Sequence, residues 1–509
     1  MTDRGKAVSV LTLNTLAFTI CFACWMMNGV LVTFLVDNGV FAWDKAQIGW
    51  LIGIPVLTGS IVRLPLGVFT DKYGGRVVFA LLMLLAAVPM YLMSYADSYS
   101  DFLWGSLGFG LAGGSFSVGI AYTSVWFPKK QQGTALGVFG MGNAGSAITS
   151  LLAPTILTRL TAGGSELANW RSLPKIYAAA LVVMTIIFLL LTHSRKAVAS
   201  QSKTIGQQLA PLKSIRVWRF GLYYFLVFGG FVALAQWLIP YYVNVYTMSI
   251  AMAGLMASIF SLPSGVIRAL GGWLSDAFGA RRVMYWVLGS CLVASVLLIV
   301  PRMDIYSPGG GVMALAGGTV TDATPAQISV TGTTGIVKTY PVKVKPEGSA
   351  GEKTSQNDSL LIILPTARSW QEPAVKVGDT VKKKQLLARG VTHLYFQANV
   401  WIFTFLVFVL GIMMGVGKAA VYKHIPDYFP QDVGVVGGIV GVLGGLGGFF
   451  CPILFGYLLN ATGIWTTCWM FFALLSLVCI VWMHRVIQKM MKEKVPGLMS
   501  QMEKSEVVS

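Results

Sequence analysis

The chain has 509 residues, of which 55% are hydrophobic and only 11% charged, with a formal charge of +18. Soluble domains hold about a quarter charged residues, so this composition excludes an ordinary soluble enzyme or binding module and places most of the chain in lipid. The excess positive charge gathers in the loops of one membrane face, so it reports topology and does not imply nucleic acid.

Twelve apolar runs, each able to cross about 30 Å of hydrocarbon, follow at about 10–36, 46–69, 77–96, 102–126, 132–157, 174–193, 217–246, 250–275, 282–301, 399–422, 433–459 and 463–485. The first is too long for the core of a cleavable signal, and no small-residue cleavage site follows it, so no leader is expected. Lys72 and Arg76, Lys129 and Lys130, and Arg281 and Arg282 lie in short connections on one side. The link between runs six and seven and the C-terminal tail add further lysines and arginines on that side, so both termini are expected in the cytoplasm. All six cysteines (21, 24, 291, 451, 468 and 479) fall within runs. A packing role suits them better than redox chemistry, because "CFAC" at 21–24 has no thioredoxin-like context.

The second half repeats the first. "IVRLPLGVFTDKYGGR" (61–76) matches "VIRALGGWLSDAFGAR" (266–281) at an offset of 205, pairing Arg63 with Arg268, Gly67 with Gly272 and Asp71 with Asp276. Farther on, "VWFPKKQQGTALGVFGMGNAG" (125–145) corresponds to "DYFPQDVGVVGGIVGVLGGLGG" (427–448), where Pro128 meets Pro430 at an offset of 302. About 97 additional residues therefore entered the second half between Arg281 and Pro430. Two parallel halves of six spans describe a two-bundle secondary transporter, with its substrate near the midplane between the halves. The expected fold class is an all-α polytopic membrane protein with a small β-rich extramembrane insert.

The extra residues form a polar segment, 303–398, rich in Gly, Thr, Lys and Val, with strand-like alternation. It follows run nine and is expected outside, in the periplasm of a bacterial cell. Ten basic against seven acidic residues do not oppose this, because long domains translocate regardless of charge. The expected division is an N-terminal six-helix bundle, 1–196; a cytoplasmic linker, 197–216; helices seven to nine, 217–302; the insert, 303–398; helices ten to twelve, 399–487; and a cytoplasmic tail, 488–509.

Arg63 and Arg268 lie inside runs two and eight. Each costs about 2.5–3.5 kcal/mol at a span centre on insertion scales. Arg63 is eight positions from Asp71, about 12 Å of helix rise, which puts its charge near mid-membrane and beyond easy snorkelling. No Asp or Glu occupies a span centre to pair with it; the acids lie in loops or at span ends. Two guanidiniums facing a cavity between the halves would hold a small planar oxyanion through parallel hydrogen bonds.

"GVFTDKYGGR" (67–76) resembles the loop signature of the major facilitator superfamily, with a weaker copy at 272–281. "GTALGVFGMGNAG" (133–145) and "GGIVGVLGGLGGFFCP" (437–452) resemble the paired glycine-rich signatures of its nitrate/nitrite porter family. The resemblance covers nearly all of the chain outside the insert and implies nitrate and nitrite as substrates. It implies that Arg63 and Arg268 hold the anion, that Asn143 approaches it, and that Phe116 and Phe228 sandwich it. A hydroxyl would come from Tyr224, although Tyr223 beside it fits the same description. Gly137, Gly140 and Gly142, with Gly441, Gly444 and Gly445, read as surfaces for close helix packing and sliding. Gly67, Asp71, Gly272 and Asp276 read as gate elements. "PAVKVGDTVKKKQLLARG" (373–390) resembles the turn-and-strand pattern of biotinyl/lipoyl-type β-domains, but lacks the lysine turn that carries their cofactor.

No cofactor, metal cluster or nucleophile–base pair is expected, and the chain reads as a carrier, not an enzyme. With no carboxylate at mid-membrane, and with its four histidines (193, 393, 424 and 484) near span ends or in the insert, nitrate/nitrite antiport by a monomer in the bacterial inner membrane is the expected mechanism. The alternatives are proton-coupled symport, an organic-anion or phosphate-ester exchanger, and a sensor whose insert binds a ligand.

Overall fold

The computed structural model describes residues 3–195, 210–299, 303–332, 335–345, 366–396, 399–429 and 433–494. Much of the expected linker (196–209), part of the β-rich segment (346–365) and the end of the tail (495–509) lie outside the described residues. Among the described residues, eleven helices are long and apolar enough to cross a membrane: α1 Asp3–Asp37, α2 Lys45–Thr70, α3 Gly75–Tyr95, α4 Tyr99–Trp126, α5 Thr134–Leu160, α6 Leu167–Leu191, α7 Ile215–Tyr246, α9 Ala280–Leu298, α10 Val400–Ile425, α11 Val435–Thr462 and α12 Thr467–Met490. A bent pair, Ile250–Val266 and Arg268–Phe278, meets at 47° and makes α8 when taken as one span. The protein is a mostly helical polytopic membrane protein of eleven to twelve spans.

Sequence decides the ends of these helices locally. Asp44 caps α2 by accepting from the Gln47 N–H at 2.8 Å, and the Gln47 side chain accepts from the Asp44 N–H at 2.9 Å. This reciprocal pair satisfies two amides that the first helical turn would leave free. Ser98 and Asp101 repeat it at the start of α4. α1 and α7 are the most enclosed spans. α6 instead turns Ile186, Leu190 and Leu191 outward, as a helix bordered by hydrocarbon can do without penalty.

Both arginine-bearing helices are interrupted at the residue before the arginine. The regular turns of α2 stop at Ile61 and resume at Arg63; those of α8 stop at Val266 and resume at Arg268. In α2 the cause is Pro65, which has no N–H to give to the Ile61 carbonyl and crowds it. α8 has Leu270 at the matching position, and its bend follows the Ser264–Gly265 pair, a common setting for a kink. Three more irregular turns fall in α4, α5 and α7: 3₁₀ turns at Gly110–Gly114 and Met141–Ala144, and a π turn at Phe225–Gly229. α7 begins at Ile215, so Tyr223 and Tyr224 lie more than two turns inside it, not at its start as the apolar run implies. The run misplaces this end because "IRVWRFG" is amphipathic and breaks the hydropathy signal before it breaks the helix.

Residues 300–403 cluster as a compact unit of their own. Two antiparallel sheets form it, one in the order β1 (Met303–Met313), β7 (Leu386–Phe396), β5 (Thr366–Pro373). The other runs β4 (Val337–Pro341), β3 (Gln327–Thr331), β2 (Gly318–Ala323), β6 (Thr380–Val381). Val320, Ile328, Val330, Val381 and Leu387 share its core. The "VGDTVKKKQLL" stretch builds two turns. Asp379 accepts from the Lys376 N–H at 2.8 Å, with Gly378 at φ +95°, and Gln385 accepts from the Lys382 N–H at 2.8 Å. Ile328 is fully buried, so Ile328→Ala is expected to destabilise this unit by about 2–5 kcal/mol. Earlier amide exchange confined to residues 303–396 would register it.

Candidate functional site

Arg63 is 3% exposed, although its guanidinium is charged and lies within a span. Its Nη1 donates to the Gly441 carbonyl of α11 at 2.9 Å, and its Nε donates at 3.4 Å to the Gly113 carbonyl in the 3₁₀ turn of α4. Backbone carbonyls thus hold the side chain from both halves and leave Nη2, which is buried and has no protein partner. Aromatic rings wall it in: the Arg63 Cζ lies 5.1 Å from the Phe228 ring, 5.4 Å from Phe116 and 5.7 Å from Trp25. Trp25 is fixed by its own indole N–H, which donates to the Pro55 carbonyl at 2.9 Å.

Arg268 approaches the same centre from α8. Its Cζ stands 5.2 Å from the Phe116 ring and 5.7 Å from the Tyr422 ring. Phe116 therefore lies against both guanidiniums. Arg268 Nη1 is buried and donates to no protein atom. Phe228 stacks on Phe116 at 6.4 Å and 24°, and Tyr224 stacks on Phe228 at 5.0 Å and 7°. The π turn Phe225–Gly229 carries Phe228 and begins directly after Tyr224, and such turns recur at functional sites. Tyr224 belongs to the cluster; Tyr223 sits beside the charge of Arg219 instead.

Asn143 is fully buried in the 3₁₀ turn of α5, and neither its Oδ1 nor its Nδ2 has a protein partner. It lies where α5 crosses α8: a methyl on Gly265 would stand 2.8 Å from the Ala144 nitrogen and 3.2 Å from the Asn143 carbonyl carbon.

The glycines divide by what they touch. Gly140 leaves room for Arg268, whose Cδ would lie 3.1 Å from an added methyl. Gly445 does the same for Arg63, with Nη1 at 3.4 Å and the Ser60 Oγ at 2.2 Å. Gly441 faces the Tyr422 hydroxyl at 3.0 Å. Gly142 packs on Phe18 of α1 and Gly444 on Tyr224 of α7, each within its own half. A methyl on Gly137 would reach only ordinary contact with Ala269, at 3.9 Å. Gly67 and Gly272 have nothing within 4 Å. Asp276 pairs with Lys423 at 2.5 Å on the exposed surface; the Asp71 side chain lies outside the described ones.

The two halves meet unevenly along their length. A methyl on Gly49 would stand 2.4 Å from the Pro452 carbonyl oxygen, on Gly456 2.3 Å from that of Lys45, and on Gly254 2.1 Å from that of Ser150. These are backbone-to-backbone contacts that only glycine permits. At Gly67 and Gly272 an added methyl would meet no described atom within 4 Å. The halves are closed beyond the arginines on the side of Lys45.

Sequence reasoning missed Tyr422 and Trp25. Tyr422 donates its hydroxyl to the Gly437 carbonyl at 3.0 Å and meets Tyr224 edge-on at 5.0 Å, between the two arginines and α11. A tyrosine within run ten was the available signal. Tyr422→Phe removes one hydrogen bond worth about 1 kcal/mol, and a correspondingly lower thermal midpoint in detergent is expected.

The site therefore offers two guanidiniums with free N–H donors, an unpaired carboxamide and an aromatic clamp, within membrane-spanning helices of both halves. A sequence profile of the Major Facilitator Superfamily matches residues 13–344 and 386–498. The chain belongs to that superfamily. This major facilitator is 38% identical over 505 residues to a probable nitrate/nitrite antiporter, NarK1, of Thermus thermophilus, covering 98% of this chain and 96% of that one. It is 24% identical to the nitrite extrusion protein of Bacillus subtilis strain 168, over 93% and 94% of the two chains. Among solved structures, a bacterial homolog of the human lysosomal transporter Spinster, inward-facing and occupied, is similar with a TM-score of 0.62. That pair shares 14% identity over 95% of this chain and 97% of the other, a likeness of fold alone.

Proposed function

We propose that this major facilitator carries nitrate and nitrite across the bacterial inner membrane by alternating access, exchanging one for the other. The observation that carries the reading is the pair of guanidiniums, Arg63 buried and Arg268 partly so, both against Phe116 and each with a buried nitrogen that no protein atom accepts from. A small planar anion is the partner that matches donors in that arrangement. The names borne by the Thermus thermophilus and Bacillus subtilis relatives narrow small anion to nitrate and nitrite.

In this reading Arg63 and Arg268 clamp the anion, Asn143 and Tyr224 supply polar contacts, and Phe116 and Phe228 cover its faces. The glycines of α5 and α11 are the surfaces on which the halves rock, while Gly67, Asp71, Gly272 and Asp276 belong to the gate. With the termini cytoplasmic, the contacts at Gly49, Gly254 and Gly456 close the halves toward the periplasm. Residues 303–398 are then a periplasmic insert of biotinyl/lipoyl-like β-structure between α9 and α10, carrying no cofactor, in a monomeric carrier. Two permanent charges oppose one another when the site is unloaded, and closing around them without an anion would raise that repulsion in a medium of low dielectric. Reorientation is therefore coupled to occupancy, which is the requirement for exchange.

The test is reconstitution. Nitrite-loaded vesicles should take up external nitrate several-fold faster than vesicles loaded with an impermeant anion, with no stoichiometric acidification of the lumen. Uptake that acidifies the lumen in step with nitrate would replace exchange by proton symport, and block by bulky phosphate esters would replace the substrate class.

A further inference from the structure

A fully buried lysine has no role in this mechanism. Lys418 of α10 is 0% exposed, and its Nζ donates to no protein atom. It lies 3.3 Å from the centre of the Phe231 ring of α7. Phe231 follows Phe228 by three residues, close to one helical turn, and its ring also meets Phe22 of α1 and Phe260 of α8. Lys418 precedes Tyr422 by four residues, so both lie on one face of α10. The neighbours along that face confirm where it points. Gly411 and Gly415 lie against Phe260 and Ser264 of α8, and Met414 against Gly230 of α7. Lys418 thus stands between α7 and α8, one turn along α10 from Tyr422, whose ring touches Arg268.

The surrounding charges decide what it can bind. From α8 the charge acting on Lys418 is that of Arg268, from α7 the nearest titratable group along the helix is Tyr224, and on α10 itself they are Tyr422 and His424. His424 is engaged with the Ala420 carbonyl through Nδ1 at 2.8 Å. No carboxylate faces it among the described ion pairs and hydrogen bonds. An ammonium enclosed by a ring, with a guanidinium as its charged neighbour, lacks a protein anion to stabilise it. An intramembrane ionisable group in such a setting marks a substrate or ion path.

The geometry points to Lys418 as a third anion-binding residue, a subsite for the transported oxyanion one helical turn along α10 from the Arg268–Tyr422 contact. The ammonium donates to the anion beside Arg268, and the Phe231 face holds the lysine chain in position between encounters. This rests on the anion-transport reading above, and the experiment separates the two.

Full-length wild type, Lys418→Met and Lys418→Arg are reconstituted and assayed for nitrate/nitrite counterflow from pH 6 to 10.5. Lys418→Met should raise KM for nitrate at least tenfold. Its thermal midpoint should equal or exceed that of wild type, because methionine removes an unpaired buried charge and fits an apolar setting. Lys418→Arg should hold KM within threefold of wild type and abolish the loss of apparent affinity expected of wild type as pH rises across this range, since arginine keeps its proton throughout. Exchange by wild type together with an unchanged KM in Lys418→Met overturns the subsite and leaves the transport reading standing. A loss of affinity with rising pH that persists in Lys418→Arg overturns it equally. A wild type that exchanges neither anion overturns the transport reading, and the subsite with it.

Discussion

Arg63→Lys and Arg268→Lys are each expected to lower nitrate/nitrite exchange by about 100-fold or more while the protein still folds and elutes as wild type. Lysine preserves the charge and loses the fork. Arg63 uses Nη1 on the Gly441 carbonyl and Nε on the Gly113 carbonyl, which leaves Nη2 for the anion. An ammonium on a shorter reach cannot hold carbonyls of α4 and α11 and also present a donor in the same plane. Arg268 differs, because its buried Nη1 is unclaimed by protein. Its loss should appear chiefly as a higher KM, whereas Arg63→Lys should also lower the maximal rate by releasing the link between α2 and α11. Charge-assisted hydrogen bonds are worth about 1.5–3 kcal/mol each, so losing two is enough for the expected factor. Counterflow measured across a range of nitrate concentrations checks both numbers, and near-normal exchange in both variants would sink the clamp.

Gly49→Val should abolish exchange by a different route. A methyl at Gly49 would stand 2.4 Å from the Pro452 carbonyl oxygen and 3.0 Å from its carbon. Both are backbone atoms of α11 and cannot step aside as a side chain does. The closed end seen here cannot form in the variant, so the carrier is held in the opposite orientation. Transport should fall below about 1% of wild type, because an exchanger must visit both orientations. Anion binding should survive, since Arg63 lies some four turns along the helix. Nitrate-dependent thermal stabilisation in detergent with absent counterflow is the expected pair of results. Wild-type counterflow in Gly49→Val would show that this contact is not part of the cycle.

These two predictions rest on different kinds of information. The liability of Arg63 and Arg268 could be read from the chain alone. Hydropathy located the spans, the offset of 205 paired the two residues, and the lack of carboxylates in the runs made the missing counter-charge an anion. Each of these is a property of position along the chain and needs no packing. The Gly49 contact could not be read in this way, because a glycine in an apolar run gives no sign of which helix, if any, comes against it. The same holds within the glycine-rich signatures: Gly140 and Gly445 make room for the arginines, while Gly142 and Gly444 serve packing inside their own halves.

What the sequence determined by itself was the environment: a polytopic chain, two repeated halves, two charges inside apolar runs and a polar β-rich segment. Hydrophobic transfer and charge burial act on each residue according to its depth, and depth follows from counting residues. The tertiary structure alone decided which side chains share the site. It placed Tyr224 rather than Tyr223 against Phe228, brought Tyr422 between the arginines and α11, and put Trp25 beside Arg63. It also turned Lys418 inward onto Phe231. From its position, seven residues before the end of α10, that lysine reads equally well as one that snorkels to the interface. A helix can rotate about its axis without changing its hydropathy, and only contact with neighbouring helices fixes that rotation.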